Sequence, residues 1–435
     1  MNTSVADGAV TQVFRRLIPA AMLLMFVNLI DRANISFVAL RMNQDLELTP
    51  AAYGVAASVF FLGYCLFEVP SNLILLRVGA RRWLARIIIS WGLVVLFMAA
   101  VRGPRSLYAA RFALGVAEAG LLPGLIYYLS AWIPAAKRGV AFSALMSTAA
   151  LSNFFGGPFA TGLMRLDGMA GFRGWQLVFL VEGAATVLIG IATLRLLPDS
   201  FAEVRWLDDA QRRFLADSQA ADSANKRARG ANSLRQGFSD RRVLLGTVLN
   251  FFLICCNFGT VYWLPQIIKS LGTVTIEQVG LLACIPYGLG GIAMILGGRH
   301  SDRTQDRKWH LFAGATIAVA GYLCAAAASQ PGVAFAGLCV ATIGIWSTFG
   351  VFWAYAGDVL GGMAAAAGFA FMNSLSTLGG VVSPALIGFV RERSSGFGAS
   401  LMVLALLAAI AALFALILPT VCVANSGVNK SRVDR

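Results

Sequence analysis

Of the 435 residues, 58% are hydrophobic and only 13% are charged, a balance that excludes an ordinary soluble domain and makes lipid the solvent for most of the chain. The net charge of +14 would suggest a nucleic-acid partner in a soluble protein, but these bases fall mainly in the connections between apolar runs, so no nucleic acid is expected. Runs of about 20 apolar residues without period-two alternation predict spanning helices rather than a barrel.

The polar start, residues 1–12, lacks an apolar stretch followed by a small-residue cleavage site, so the first span is expected to be retained. Hydropathy, charges and Gly/Pro breaks place spans at 17–38, 53–76, 84–102, 106–132, 140–163 and 175–197, then at 243–268, 279–298, 309–329, 332–358, 364–390 and 396–420. Between the two sets, 198–242 carries Asp208, Asp209, Arg212, Arg213, Lys226, Arg227 and Arg229 among Ser and Ala, and reads as a solvated linker. The expectation is an all-α membrane protein of twelve transmembrane helices: an N-terminal six-helix bundle (1–197), a cytoplasmic linker (198–242), and a C-terminal six-helix bundle with its tail (243–435). With the N-terminus inside, 24 of the 35 lysines and arginines fall on the cytoplasmic side, which places both termini there. The seven cysteines lie in or beside spans without metal-ligand spacing and read as packing residues; no metal or cofactor is expected.

A charged side chain at membrane depth costs several kcal/mol and needs a reason. In span one, Asp31 and Arg32 are adjacent, about seven residues from the expected outer end and so on the order of 10 Å deep, and they point roughly 100° apart. Span two carries Glu68 before Pro70, and span six carries Glu182 and, near its cytoplasmic end, Arg195; Asp358 is close to the end of span ten. These four read first as helix contacts or snorkelling ends. In span four, Arg111 and Glu118 are seven residues apart on one face, with Glu118 near the midplane. A purely structural account pairs Arg111 with Asp31 or Glu118. The functional account uses both signs: guanidinium groups to attract a carboxylate bidentately, and buried acids able to exchange protons.

An internal repeat appears at an offset of 226 residues: Arg77 aligns with Arg303, Arg81 with Arg307, Trp83 with Trp309, Pro158 with Pro384 and Gly162 with Gly388. The same offset takes Asp31 to Asn257, Arg32 to Phe258, Arg111 to Gly337 and Glu118 to Gly344, so charge and proton chemistry should reside in the first half. The second half offers Asn257, Tyr262, Trp263, Trp353 and Asn373. Between spans eight and nine, Asp302, Arg303 and Arg307 form a loop whose acid can pair with neighbouring bases and hold helix ends together as a gate.

Gly298-x3-Asp302-Arg303-x3-Arg307-Lys308 resembles the signature loop of the major facilitator superfamily; its first-half copy is degenerate, with Leu76 at the acid position and Asn72 at the glycine position. More specifically, Asp31-Arg32-Ala33-Asn34-Ile35, Gly63-Tyr64-x2-Phe67-Glu68-Val69-Pro70-Ser71-Asn72 and Arg111-Phe112-x2-Gly115-x2-Glu118-Ala119-Gly120 resemble the anion:cation symporter family. That family takes up sugar acids, tartrate, phthalate, hydroxyphenylacetate and related anions. The resemblance implies proton coupling at Asp31 and Glu118, a substrate site lined by Arg32, Tyr64, Trp353 and Asn373, and a charge-partner role for Arg111, which is counted here with the substrate-binding groups. Ala149 stands where some sugar-acid carriers have glutamine and Leu29 where some have tyrosine, departures that weaken the implication of a heavily hydroxylated substrate.

The expected function is therefore proton-coupled symport of a small organic anion into a bacterium, across the inner membrane, by a monomer. Two alternatives use the same fold: a proton-driven exporter, which Gly156-Gly157-Pro158 in span five suggests, and a non-transporting sensor with the 198–242 segment as output. An enzyme is not expected: His300 and His310 share a loop region, and no nucleophile, base and oxyanion arrangement or phosphate loop is present.

Overall fold

A computed structural model describes residues 3–201, 204–228, 240–359 and 364–419, and the regular elements among them are helices. The first half holds α1 (Thr3–Asp45), α2 (Pro50–Val78), α3 (Ala80–Met98), α4 (Pro104–Glu118), α5 (Leu121–Trp132), α6 (Ala135–Met164) and α7 (Gly174–Leu196). After α8 (Asp209–Ala228), the second half holds α9 (Arg241–Ser270), α10 (Ile276–Thr304), α11 (Lys308–Ala327), α12 (Pro331–Val359), α13 (Ala364–Thr377), α14 (Gly379–Glu392) and α15 (Gly398–Ile417). Among the described residues, eleven crossings are long and apolar enough for a membrane, with α4 and α5 together making one of them. The twelfth, α3, carries Arg81, Arg82 and Arg86 in its first two turns but no charge from Ile87 to Met98. Leu66, Phe97, Leu188, Leu296, Leu406 and Leu413 are exposed on the flanks, an apolar belt that only lipid can cover.

The core face of α1 follows directly from its spacing. Leu17, Ala21, Leu24, Asn28, Asp31, Ile35, Val38 and Met42 recur every three or four residues, and all are buried. Two polar residues, Asn28 and Asp31, are thereby built into an otherwise apolar stripe. The helix also runs further than the hydropathy suggests: it ends at Asp45, so Asp31 lies 14 residues, about 21 Å, from that end rather than about 10 Å. The polar run 41–45 stays helical because Met42 still packs inward and Asp45 accepts a hydrogen bond from Trp175 Nε1 (2.8 Å) at the start of α7.

Span four is broken where Glu118 ends α4. Gly120 has φ 91°, and a Cβ there would stand 2.5 Å from Ser71 Oγ, so the turn into α5 requires glycine. The 198–242 segment is not simply solvated as expected. Val204, Leu207 and Leu215 are buried, Trp206 stacks on Trp132, and Arg16 of α1 lies over the Trp206 ring, so α8 and its approach dock on the first half.

The halves meet through two crossings that are copies of each other under the repeat. A Cβ on Gly54 of α2 would lie 2.5 Å from Pro384 O of α14, and one on Gly280 of α10 would lie 2.2 Å from Thr161 Oγ1 of α6. Around them the halves are clamped at the end that carries the 46–49 connection: Glu392 accepts from Thr49 Oγ1 (3.1 Å) and Ala51 N (2.9 Å) at the α2 N-terminus, and Arg165 reaches Glu277 (3.5 Å). An aromatic seam continues inward, with Tyr53 edge-on to Trp263 at 5.0 Å and Phe61 against Phe258 at 4.3 Å. Deeper still, Glu68 meets Ser374 Oγ at 3.5 Å.

Candidate functional site

Adjacent positions on α1 send their charges to different helices, as a 100° step requires. Arg32 turns to α4, where its Nε donates to Glu118 Oε2 at 2.8 Å. Asn28, one turn earlier on the same face, donates to the same oxygen at 2.8 Å. Glu118 is fully buried, and its Oε1 has no partner among the described residues. Asp31 turns instead to α3 and accepts from Trp91 Nε1.

Arg32 is packed as well as paired. Its guanidinium lies 4.7 Å from the Tyr64 ring centroid and 5.2 Å from that of Phe60. Arg111 approaches the Phe60 ring at 4.6 Å, so one aromatic ring is shared by two cations. Arg111 is 0% exposed, yet it forms no ion pair among the described residues. Its Nε donates to Ala56 O (3.3 Å), its Nη2 reaches Tyr262 Oη of the other half (3.5 Å), and its Nη1 has no partner among the described residues. The pairing of Arg111 with Asp31 or Glu118 is therefore not formed: Arg32 occupies Glu118, and Arg111 is held by a carbonyl, a hydroxyl and a ring.

Tyr64, Arg32, Glu118 and Arg111 thus share one site at the junction of α1, α2 and α4, with Tyr262 facing them from α9. Asp31 stands behind it. Trp353 and Asn373 are placed on the opposing half, in α12 and α13: Trp353 is 37% exposed with its ring beside Phe352, and Asn373 O accepts from Thr377 Oγ1. Asn373 adjoins Ser374, which reaches Glu68 of α2. Sequence reasoning missed Asn28, Phe60 and Trp91. Phe60 has no signal of its own among 29 phenylalanines, whereas Asn28 is recoverable as a polar residue one turn from Arg32.

At the gate loop, Arg307 bridges Asp302 (2.7 Å) and Asp358 (3.1 Å), joining the α10–α11 connection to the end of α12. Asp358 belongs to this latch rather than being a plain helix end. Arg303 is exposed. In the first half Arg81, the repeat mate of Arg307, pairs with Asp199 at 2.7 Å beyond α7, so a first-half ion pair exists with an acid from a different position than the motif uses.

The Major Facilitator Superfamily model matches residues 21–384. The chain is 39% identical over 427 residues to a protein of Agrobacterium vitis named "Putative tartrate transporter", covering 98% of each. It is 38% identical over 404 residues to the "Quinolone resistance transporter" of Acinetobacter baumannii, covering 93% of this chain and 92% of that one. Its fold is similar to the crystal structure of a bacterial homolog of the human lysosomal transporter Spinster, in an inward-facing, unoccupied conformation, with a TM-score of 0.77 at 16% identity over 92% of this chain and 96% of that one. The chain belongs to the major facilitator superfamily of membrane transporters.

Proposed function

We propose that the protein is a proton-coupled importer of a small organic carboxylate, set in the bacterial inner membrane with both termini cytoplasmic, and that its two six-helix bundles, 1–197 and 243–435, rock about a central site. The observation that carries this reading is Arg111: a fully buried guanidinium that, among the described residues, has no carboxylate partner and one unpartnered nitrogen, beside an Arg32 that already holds Glu118. A buried guanidinium with no carboxylate in direct contact keeps hydrogen-bonding capacity unused, and an incoming carboxylate would fill it. Protonation of Glu118 would release Arg32 to join Arg111 on that carboxylate, giving proton entry and anion entry a common cause. With the 46–49 end outside, as the basic loops favour, the clamp closes the outer side and the site faces inward.

Tartrate is a suitable first probe because a relative is named for it. In vesicles containing the purified protein, an inward proton gradient is expected to drive tartrate uptake. Unlabelled tartrate should compete and its neutral diamide should not, since the amide offers no charge to the guanidinium groups. The similarity to a protein named for quinolone resistance supports an export reading of the same fold; equal competition by the amide or by organic cations would favour that reading and defeat the importer.

A further inference from the structure

Behind the Arg32 site, two acids are buried together. Helices α3 and α7 cross at Gly92 and Gly183, where a Cβ on either glycine would come within 3.0 Å of the other's carbonyl oxygen. The crossing brings Trp91 and Glu182, the residues just before those glycines, up to the same stretch of α1. There Trp91 Nε1 donates to Asp31, and Asn34 Nδ2, three residues along α1, donates to Glu182 Oε1. Asp31 and Glu182 are each 6% exposed, and their carboxyl groups lie within hydrogen-bonding reach of one another. Glu182 Oε2 has no hydrogen-bond partner among the described residues. A carboxylate only accepts, so two of them can bond only if one carries a proton.

We propose that Asp31 and Glu182 form one proton site, a carboxyl pair that shares a single proton, and that Glu182 thereby belongs to the coupling machinery; this rests on the transport reading above. The other charged groups acting on the pair are Glu118 and Arg111 of α4. Arg32, next to Asp31, is turned to Glu118; α3 offers Trp91, and α6 has no charged residue between Arg138 and Arg165. With one proton on the pair, its single negative charge and that of Glu118 offset Arg32 and Arg111, so these five groups together carry no net charge. A bound carboxylate then adds one negative charge, which a proton on Glu118 cancels. Losing the shared proton would leave the cluster one charge out of balance, so the pair refills from water before the next cycle.

Two measurements test this. Infrared spectra of the purified protein in lipid, with no substrate, should show a protonated-carboxyl band near neutral pH. Asp31→Asn and Glu182→Gln should each remove it, because the new amide N–H supplies the hydrogen and leaves the remaining carboxylate ionised. Glu118→Gln should leave the band in place, and Glu182→Asp, which keeps a carboxyl and guards against misfolding of the amide variant, should retain it. In vesicles, Glu182→Gln should lower the tartrate accumulation held by a one-unit pH gradient by about tenfold, the factor that one proton contributes. Persistence of the band in either amide variant, or unchanged accumulation in Glu182→Gln, overturns the shared-proton site. Absence of tartrate uptake by the unsubstituted protein would instead count against the transport reading, and the infrared result would still decide the pair.

Discussion

Arg32 and Arg111 share one phenylalanine ring, and what separates them is company: Arg32 holds Glu118, whereas Arg111 holds no acid among the described residues. A residue kept for stability should cost stability when removed. A residue kept for the anion should instead cost affinity first, since Arg111 makes no salt bridge among the described residues that its removal would break. Arg111→Met is therefore expected to lower tartrate affinity at least about tenfold, the scale of a lost charge-assisted hydrogen bond, with a much smaller proportional effect on the thermal unfolding midpoint. A clear fall in the midpoint with affinity intact would make Arg111 a structural residue. Arg32→Lys should fold but bind tartrate at least about tenfold more weakly, since an ammonium keeps the charge and loses the planar fork; equal affinity would remove the bidentate geometry from the account. The divergence of Asp31 and Arg32 was legible in the sequence because adjacent helical positions must part by 100°. Which acid Arg32 would meet was not, since α4 reaches it only through the packing of the first half.

Among the helices, the clamp at the 46–49 end and the gate latch at the opposite end work by similar means. Glu392 caps the α2 N-terminus from the other half, accepting from Thr49 and Ala51 where the helix has unpaired N–H groups and a positive dipole end. Hydrogen bonds to a charged group contribute about 1.5–3 kcal/mol, enough to move a two-state equilibrium about tenfold or more. Glu392→Ala should thus favour the outward-facing state. A cysteine placed at Ser58, which is buried in the seam with its Oγ accepting from Ala385 N, should then react with an impermeant reagent from outside about tenfold faster; an unchanged rate would show that the clamp does not hold the seam. The sequence made the gate loop visible through its spaced acid and bases. It did not reveal Glu392, an acid at the end of α14 whose meaning depends on which helix end it faces. Nor did composition show that α8 docks: a segment rich in charge still carries Val204, Leu207 and Leu215 at positions that pack inward.

For the whole molecule, the repeat read from the sequence reappears as geometry, because Gly54 and Gly280, equivalent under the offset, are the contact points of two matching helix crossings. Such a pair of crossings is the arrangement about which two halves can rock. The direction of that motion depends on topology. In a cysteine-free background, a cysteine at Gln219 on α8 should label only from the cytoplasm and one at Gly103 only from outside; equal access of both from one side would defeat the orientation. Fold and superfamily were legible because lipid imposes long helices and because the loop motif is specific. The buried network was not, since Asn28, Phe60 and Trp91 acquire their roles only when α1, α2, α3 and α4 are brought together. The central claim is that one protonation, at Glu118, frees Arg32 for the anion, and equilibrium binding of tartrate to the purified protein as a function of pH tests it most directly. The unsubstituted protein should bind more tightly as pH falls, and Glu118→Gln, an imitation of the protonated acid, should bind with the low-pH affinity at every pH; a Glu118→Gln variant that retains the full pH dependence would contradict the account.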